Sequence, residues 1–431
     1  MVPNGWDFVK LDDIAIKVMV GIASAATHAY TDSGIRMLRN LNIKDGWIDD
    51  SDILHIDNDY EVQHKNKRLK TGDILTVRTG YPGLSAVVPS IYENAQCFTS
   101  LVTRLDQAKA LPDYVCRFIN SEYGKKFIVS GEAGGAQKNV NAAMLKKMPI
   151  PLPPLPEQHK IAQILSTWDK AIATTEKLID ASKQQKKALV QQLLTGKKRL
   201  VDPETGKAFE GEWRKSKTPY ESLPSDWSEL ALEKLSSFIT KGATPTTYGF
   251  EWQEYGIPFL RSECVGKNGF KESGLNYICD DAHEAMARSK VYAGDILITI
   301  TGNVGRVCRL PNKYPQANIN QHIAKVTLKD ENVCSDFIFH CLQDNKYQSN
   351  FERITTGQAY PQISLVQVRN TIVPLPPISE QQKIASVLTA ADKDIELLEA
   401  KLAHFKQEKK ALMQQLLTGK RRVKVAETEV A

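Results

Sequence analysis

A block of sequence occurs twice, and its spacing fixes the layout of the chain. Pro151-Leu152-Pro153-Pro154-Leu155-Pro156-Glu157-Gln158 returns as Pro374-Leu375-Pro376-Pro377-Ile378-Ser379-Glu380-Gln381. The correspondence continues without a gap, at an offset of 223, to Gln191-Gln192-Leu193-Leu194-Thr195-Gly196-Lys197 and Gln414-Gln415-Leu416-Leu417-Thr418-Gly419-Lys420. Roughly 28 of 49 aligned positions are identical, which chance would not give.

Each copy reads as one long helix. The Pro-rich lead cannot continue a helix and suits an extended approach to its first turn. Glu157 and Glu380 then sit in that turn, where a negative charge meets the positive end of the helix dipole. Gly196 and Gly419 follow the last apolar turn and act as stops. About 39 residues lie between these signals, an extent of ~58 Å at 1.5 Å per residue.

Apolar positions in both copies alternate at spacings of four and three, the seam of a coiled coil. The second copy gives Ile384, Leu388, Ala391, Ile395, Leu398, Leu402, Phe405, Leu412 and Leu416, with Lys409 out of character. The first gives Ile161, Leu165, Trp168, Ile172, Thr175, Ile179, Ser182, Lys186, Leu189 and Leu193. A narrow stripe on so long a helix needs a partner, because burial rather than propensity sustains it. Each helix is most simply the partner of the other, packed antiparallel.

The stretches before the helices are related more weakly. Thr71-Gly72-Asp73-Ile74-Leu75 echoes Ala293-Gly294-Asp295-Ile296-Leu297, and Trp6 answers Trp227. Chain order is therefore domain (1–150), helix with its Pro-rich lead (151–196), a polar Lys-rich linker (197–223), domain (224–373), helix (374–420) and tail (421–431). Val, Ile and Thr enrichment between Gly- and Pro-marked turns predicts strands at Asp73–Arg78, Ser85–Val88, Phe98–Leu105, Asp295–Thr301, Arg306–Leu310 and Ile319–Leu328. Helical patterns cover Asp113–Phe127 and Ser335–Phe351. The expected fold class is α+β: two twisted, mostly antiparallel sheet domains with short helices, separated by two long antiparallel helices forming a coiled coil.

Composition excludes several classes. Charged residues are 25 % and hydrophobic ones 42 %, a globular profile. The longest apolar stretch, Ile14 to Ala26, contains Lys17 and is shorter than the ~20 residues a bilayer span needs. A cytoplasmic protein with no membrane role is expected. Seven scattered cysteines without a C-x-x-C pair argue against disulfides and zinc, so no metal site is expected. There is no phosphate-binding loop, dinucleotide fingerprint, Gly-x-Ser-x-Gly or H-E-x-x-H, and no Asn- or Asp-Pro-Pro-aromatic motif. Catalysis by this chain is not expected. The net charge of +6 favours a polyanionic partner.

Reading bases needs side chains that hydrogen-bond at two points, Arg to guanine and Asn or Gln to adenine, carried on loops of a rigid frame. Four loops in each domain qualify. Arg36–Gly46, with Arg39, Asn40, Asn42 and Lys44, matches Arg261–Gly269, with Arg261, Lys267 and Asn268. Arg78, Thr79 and Tyr81 match Thr301, Asn303 and Arg306. Gln96–Ser100 matches the run containing Asn320, Gln321 and His322. Gln137, Lys138 and Asn139 match Gln358, Tyr360 and Gln362. Gly72 and Gly294 read as turn glycines, Asp73 and Asp295 as braces of those turns, and His322 as a satisfied strand residue. The frame is shared while the loop residues differ, as two readers of different sequences would require.

Together these features resemble the specificity subunit of type I restriction–modification systems, over the whole chain. The resemblance rests on Pro151–Ala162, its second copy, and both Gln-Gln-Leu-Leu-Thr-Gly-Lys helix ends. It implies that each domain reads one half of a bipartite double-stranded DNA target. The helices would set the spacing of the halves and dock two methyltransferase (modification) subunits, joined by restriction/translocase subunits. It further implies no cofactor on this chain, with S-adenosylmethionine, ATP and Mg carried by those partners. The loop beginning at Arg261 and the run Gly357–Gln362 are the base readers it favours, whereas Gly135–Asn139 departs from that pattern. A partner that fuses methylation and nuclease activity, and a coiled-coil scaffold without DNA, are the competing readings. On the first reading, a few residues inserted around Lys177–Lys183 should lengthen the spacer and leave both half-sites unchanged, as methylome sequencing would register.

Overall fold

The computed structural model describes residues 2–24, 26–130, 139–200, 205, 207, 211–267, 269–329, 332–357 and 360–425. It forms two compact units, 1–177 with 400–431, and 178–399. Each long helix, Leu155–Leu193 and Ile378–Leu416, therefore contributes one part to each unit.

In the first unit, Ala15–Val20, Leu101–Leu105, Ile74–Thr76 and Ser85–Val87 form an antiparallel four-stranded sheet in that spatial order. A second sheet orders Tyr30–Thr31, Leu54–Ile56, Ile35–Leu38 and Gln96–Cys97, its last pair parallel. Leu38, Leu75, Ala86, Cys97 and Val102 fill one core. A larger core joins Trp6, Tyr114 and Ile119 to Ile161 and Leu165 of the first long helix and to Leu416 and Leu417. The second unit repeats this plan with Ser236–Lys241, Ile323–Leu328, Ile296–Thr299 and Val307–Arg309 in one sheet. Leu275–Ile278, Ile257–Leu260, Gln316–Ile319 and Lys290–Tyr292 form the other.

Several elements differ from the sequence reading. The expected strands Phe98–Leu105 and Ile319–Leu328 are each broken, because Phe98–Ser100 and Asn320–His322 turn out of the sheet. His322 is thus a turn residue rather than a strand residue, its N–H donating to Asn320 Oδ1 at 3.1 Å. Both long helical patterns are split, at Ser121 and at Asp344, which take extended backbone and start a second helix. The supposed linker contains a hairpin, Trp213–Lys215 paired with Ser222–Pro224. Its Tyr220 and Leu223 are buried in the core of the second unit, and that burial holds the segment in place.

The Pro-rich leads are strands before they are helices. Pro149–Leu152 pairs with Asp7–Lys10, and Ile372–Leu375 with Ser228–Ala231, as isolated two-stranded ribbons. Such ribbons tolerate proline because only one neighbour needs its N–H. Pro156 then lies in the first helical turn, where a missing N–H costs nothing.

Glu157 and Glu380 do more than meet a dipole. Glu157 is 3 % exposed and accepts from Trp6 Nε1 at 3.0 Å and from Arg422 Nη2 at 2.8 Å. Glu380 is fully buried and accepts from Trp227 Nε1 at 3.2 Å and from Arg199 at 2.8 Å. In each unit the arginine follows the end of the opposite helix. The next residue binds the sheet domain. Gln158 accepts from Leu111 N–H and donates to the Pro153 and Lys109 carbonyls; Gln381 does the same with Cys334, Pro376 and Asn332.

Every seam position named from the sequence is buried or half-buried. In the first unit, Trp168 packs edge-on against Phe405, Lys406 pairs with Glu176 at 2.7 Å, and Lys409 with Asp169 at 2.5 Å. In the second, Lys183 pairs with Glu399 at 2.6 Å and Lys186 with Asp392. From one ion pair to the next in each unit, second-helix numbers fall as first-helix numbers rise, so within each unit the pair is antiparallel. Lys186 and Lys409 are therefore seam residues whose charge is met by an aspartate across the seam. Each aspartate also reaches its sheet domain, Asp169 to Arg117 at 2.6 Å and Asp392 to His340, 3.9 Å away.

Removing the buried Glu380 carboxylate takes the acceptor from Trp227 Nε1 and one carboxylate from Arg199, which also pairs with Asp226 at 2.7 Å. Glu380→Ala is expected to cost about 3–5 kcal/mol. Glu157→Ala should cost less, since the Arg422 side chain is 47 % exposed. Urea unfolding of the full chain measures both. Burial, reinforced by Lys186 and Arg309, pushes His340 down to about 3, so the folded ring is neutral where the unfolded one binds a proton. Stability should accordingly be full above pH ~6.5 and fall as pH drops from there toward 3. A shallower fall in His340→Gln, followed by the urea midpoint against pH, is the expected result.

Candidate nucleic-acid interface

In the first unit, strands Ala15–Val20, Ile35–Leu38, Ile74–Thr76 and Gln96–Cys97 all end at the same edge, where Ser85–Val87 and Leu101–Leu105 begin. The loops that must leave there are those singled out from the sequence. They are stitched together: Phe98 N–H donates to Leu38 O at 2.7 Å, and Val140 N–H to Arg78 O at 3.1 Å. Asn40 Nδ2 donates to Thr79 Oγ1 at 3.2 Å and Thr99 Oγ1 at 3.4 Å, while Ser100 Oγ donates to Asn40 Oδ1 at 2.8 Å. Thr99 takes the left-handed backbone, φ 59°, to make this turn.

The second unit converges in the same way. Asn320 N–H donates to Leu260 O at 3.0 Å, Ile300 N–H to His322 O at 2.9 Å, and Gly302 N–H to Pro361 O at 2.9 Å. Thr301 and Gln362 form a β-bridge, so all four loops of this unit share one surface. In both units the surface lies at the sheet end away from the long helix, whose Gln158 or Gln381 binds the other end.

Occupancy separates the candidates. A hydrogen-bonding group already used inside the protein is not available to a base. Arg39 donates to Asp52 Oδ2 at 2.7 Å, Lys44 pairs with Asp49 at 3.5 Å, and both Asn40 N–H groups are engaged. Asn42 is buried and donates to the Asp49 and Asp52 carbonyls. Gln96 is buried and donates to Glu61, whose carboxyl is held below the ordinary range chiefly by Arg68. Arg78 is half-buried against Val140 O, and Arg261 Nε donates to Gly274 O at 3.1 Å. Asn320 is buried and its Oδ1 accepts from His322 N–H.

A second set faces outward. Tyr81 and Tyr360 are 79 % and 77 % exposed. Thr79, Asn139, Lys267, Asn303, Gln321 and Gln362 are exposed, Thr301 and Arg306 half-buried. Gln362 holds its loop through backbone bonds to Thr356 and leaves its amide in solvent. The Arg306 guanidinium has no ion pair among the described residues. Gln137, Lys138, Asn268 and Gln358 lie outside the described residues.

The turn readings hold. Gly72 and Gly294 have φ of 87° and 96°, and Asp73 and Asp295 accept from Lys70 N–H and Tyr292 N–H. One further loop in each unit joins the surface without having been singled out. Ile22 N–H donates to Cys97 O at 2.8 Å, and Ala243 N–H to Ile319 O at 3.2 Å. A Cβ on the preceding glycine would lie 2.3 Å from Cys97 O at Gly21, or 1.8 Å from Ile319 O at Gly242. Both glycines occupy matching places in the two domains, which was the available signal. Gly242→Ala is expected to push this loop from the Asn320–His322 turn, seen as faster amide exchange there.

The family model described as type I restriction modification DNA specificity domain matches residues 3–183 and 224–407. A Methanocaldococcus jannaschii protein assigned as the MjaX specificity subunit of a type I restriction enzyme is 29 % identical, over 98 % of this chain and 95 % of that one. The EcoKI specificity subunit of Escherichia coli is 23 % identical over 89 % and 81 %. The crystal structure of a type I restriction–modification S subunit from M. genitalium superposes with a TM-score of 0.62, at 15 % identity, over 97 % of this chain and 98 % of that one. That last likeness establishes the fold. Among the described residues no helix is long and apolar enough to cross a membrane.

Proposed function

Since this chain belongs to the type I restriction modification DNA specificity family, in two copies of its domain, we propose that it is the DNA-reading subunit of a type I restriction–modification complex. Each sheet domain reads one half of a bipartite duplex target. The observation that carries this reading is the duplication of one frame with unlike loops. Four loops converge on the same sheet end in both units, yet present Thr79, Tyr81 and Asn139 in one and Lys267, Asn303, Arg306, Gln321, Tyr360 and Gln362 in the other.

The chemistry suits base edges. Arg306 offers a fork for guanine, and Gln321 and Gln362 offer paired donor and acceptor for adenine. Tyr81 and Tyr360 supply broad contact area at small entropic cost. Groups already bound inside the protein, such as Asn40, hold the loops in shape instead. The paired helices are the spacer that sets the distance between half-sites, since they are continuous rods shared by both units. Methyltransferase subunits dock on them and carry the reaction with S-adenosylmethionine. Restriction subunits carry ATP and Mg. The chain itself supplies recognition without catalysis.

Exchange of residues 1–150 for those of a relative should change one half-site only, as methylome sequencing of a host carrying the partner genes would show. Changes in both halves would count against modular reading. Arg306→Ala is expected to relax one position of the half-site read by the second domain, at a cost of about 1–3 kcal/mol, with the other half-site unaffected.

A further inference from the structure

Among the described residues, Gln321 differs from the other amides on the two surfaces in how much of it is in use. Thr244 Oγ1 donates to Gln321 Oε1 at 2.6 Å, and Gln321 Nε2 stands 3.2 Å from His322 Nε2. With its proton on Nδ1, the His322 ring accepts from that Nε2. A glutamine amide has two N–H groups and two oxygen lone pairs. One of each is therefore taken, and one of each remains on an exposed side chain. Asn40, by contrast, has spent both N–H groups. Gln362 is exposed, and no described residue hydrogen-bonds its amide.

We propose that Gln321 reads an adenine in the major groove, and that Thr244 and His322 are positioning residues that hold its amide in the reading orientation. This rests on the specificity reading given above. The base follows from the leftover pair. Adenine alone presents an adjacent acceptor, N7, and donor, the N6 amino group, on its major-groove edge. Guanine offers two acceptors, thymine an acceptor and a methyl group, cytosine one donor. An amide with one free N–H and one free lone pair satisfies only the first fully.

The positioning is built into the backbone. Gly242 allows the loop carrying Thr244 to lie directly on the Ile319 carbonyl, at a distance no larger residue could accept. Asn320 caps the turn by accepting from His322 N–H, and Ile300 N–H holds the His322 carbonyl. A side chain fixed in this way loses little rotamer freedom on binding, which favours both affinity and discrimination.

The test is selection of duplexes from a random library by the full chain, wild type and variants, read by sequencing. Gln321→Ala should flatten one A·T position in one half-site, lowering its enrichment over the other bases by about 5- to 150-fold. Thr244→Val should flatten the same position, while Thr244→Ser, which keeps the hydroxyl donor, should leave it sharp. The half-site of the other domain serves as the internal control for folding and should not change. The proposal fails if Gln321→Ala leaves every position as selective as in the wild type, or flattens a G·C position. It fails also if Thr244→Val matches the wild type. A wild-type chain that enriches no bipartite sequence would instead remove the specificity reading on which this one depends.

Discussion

The carboxylate in the first turn of each long helix is the contact on which the rest is hung. Glu157 and Glu380 each bring together the tryptophan that opens a sheet domain, the first turn of the helix leaving that domain, and the arginine after the opposite helix. A buried carboxylate is tolerated only when its lone pairs are met. Here indole and guanidinium donors meet them, and the neighbouring glutamine clasps the sheet domain. Three parts of the chain, distant in sequence, are thereby obliged to meet in each unit.

Much of this was legible because it recurs. A motif that appears twice at one offset announces its own boundaries, and the seam spacing of the helices follows from apolar period alone. Each seam residue named from that period is at least half-buried. The loops were legible for a related reason: strands marked by Val, Ile and Thr alternate in direction, so every second connection returns to the same side. What escaped was the use made of each polar group. Asn40 and Gln321 bring the same amide group, yet one is consumed by Thr79 and Thr99 while the other keeps half its capacity. Pairing of that kind is tertiary and leaves no periodic trace. The hairpin at Trp213–Pro224 was hidden by its polar composition, since buried Tyr220 and Leu223 make no periodic pattern and its other ties, such as Arg214 to Glu229, are polar.

The two units also show where duplication has been allowed to drift. The acid, the tryptophan, the arginine and the glutamine of the helix entrance are kept in both. At the next layer, Asp169 meets the permanently charged Arg117, whereas Asp392 meets His340, which burial keeps neutral. The same place in the frame thus carries a charged contact in one unit and an uncharged one in the other. Loop residues diverge further still. Constraint weakens outward from the helix entrance to the converging loops, as expected where packing fixes the interior and the ligand selects the rim.

The lysines in the seam have an effect on assembly that composition would not suggest. Because the two helices are copies, a parallel pair in register would set every residue against its own duplicate. Lys186 would face Lys409, and Asp169 would face Asp392. Reversal of one copy places each lysine beside an aspartate instead. Like charges across such a seam are repelled and opposite ones attracted, so a doubled gene segment encodes its own veto on the wrong alignment. A nascent first helix meeting another nascent first helix side by side on crowded ribosomes would face the same veto.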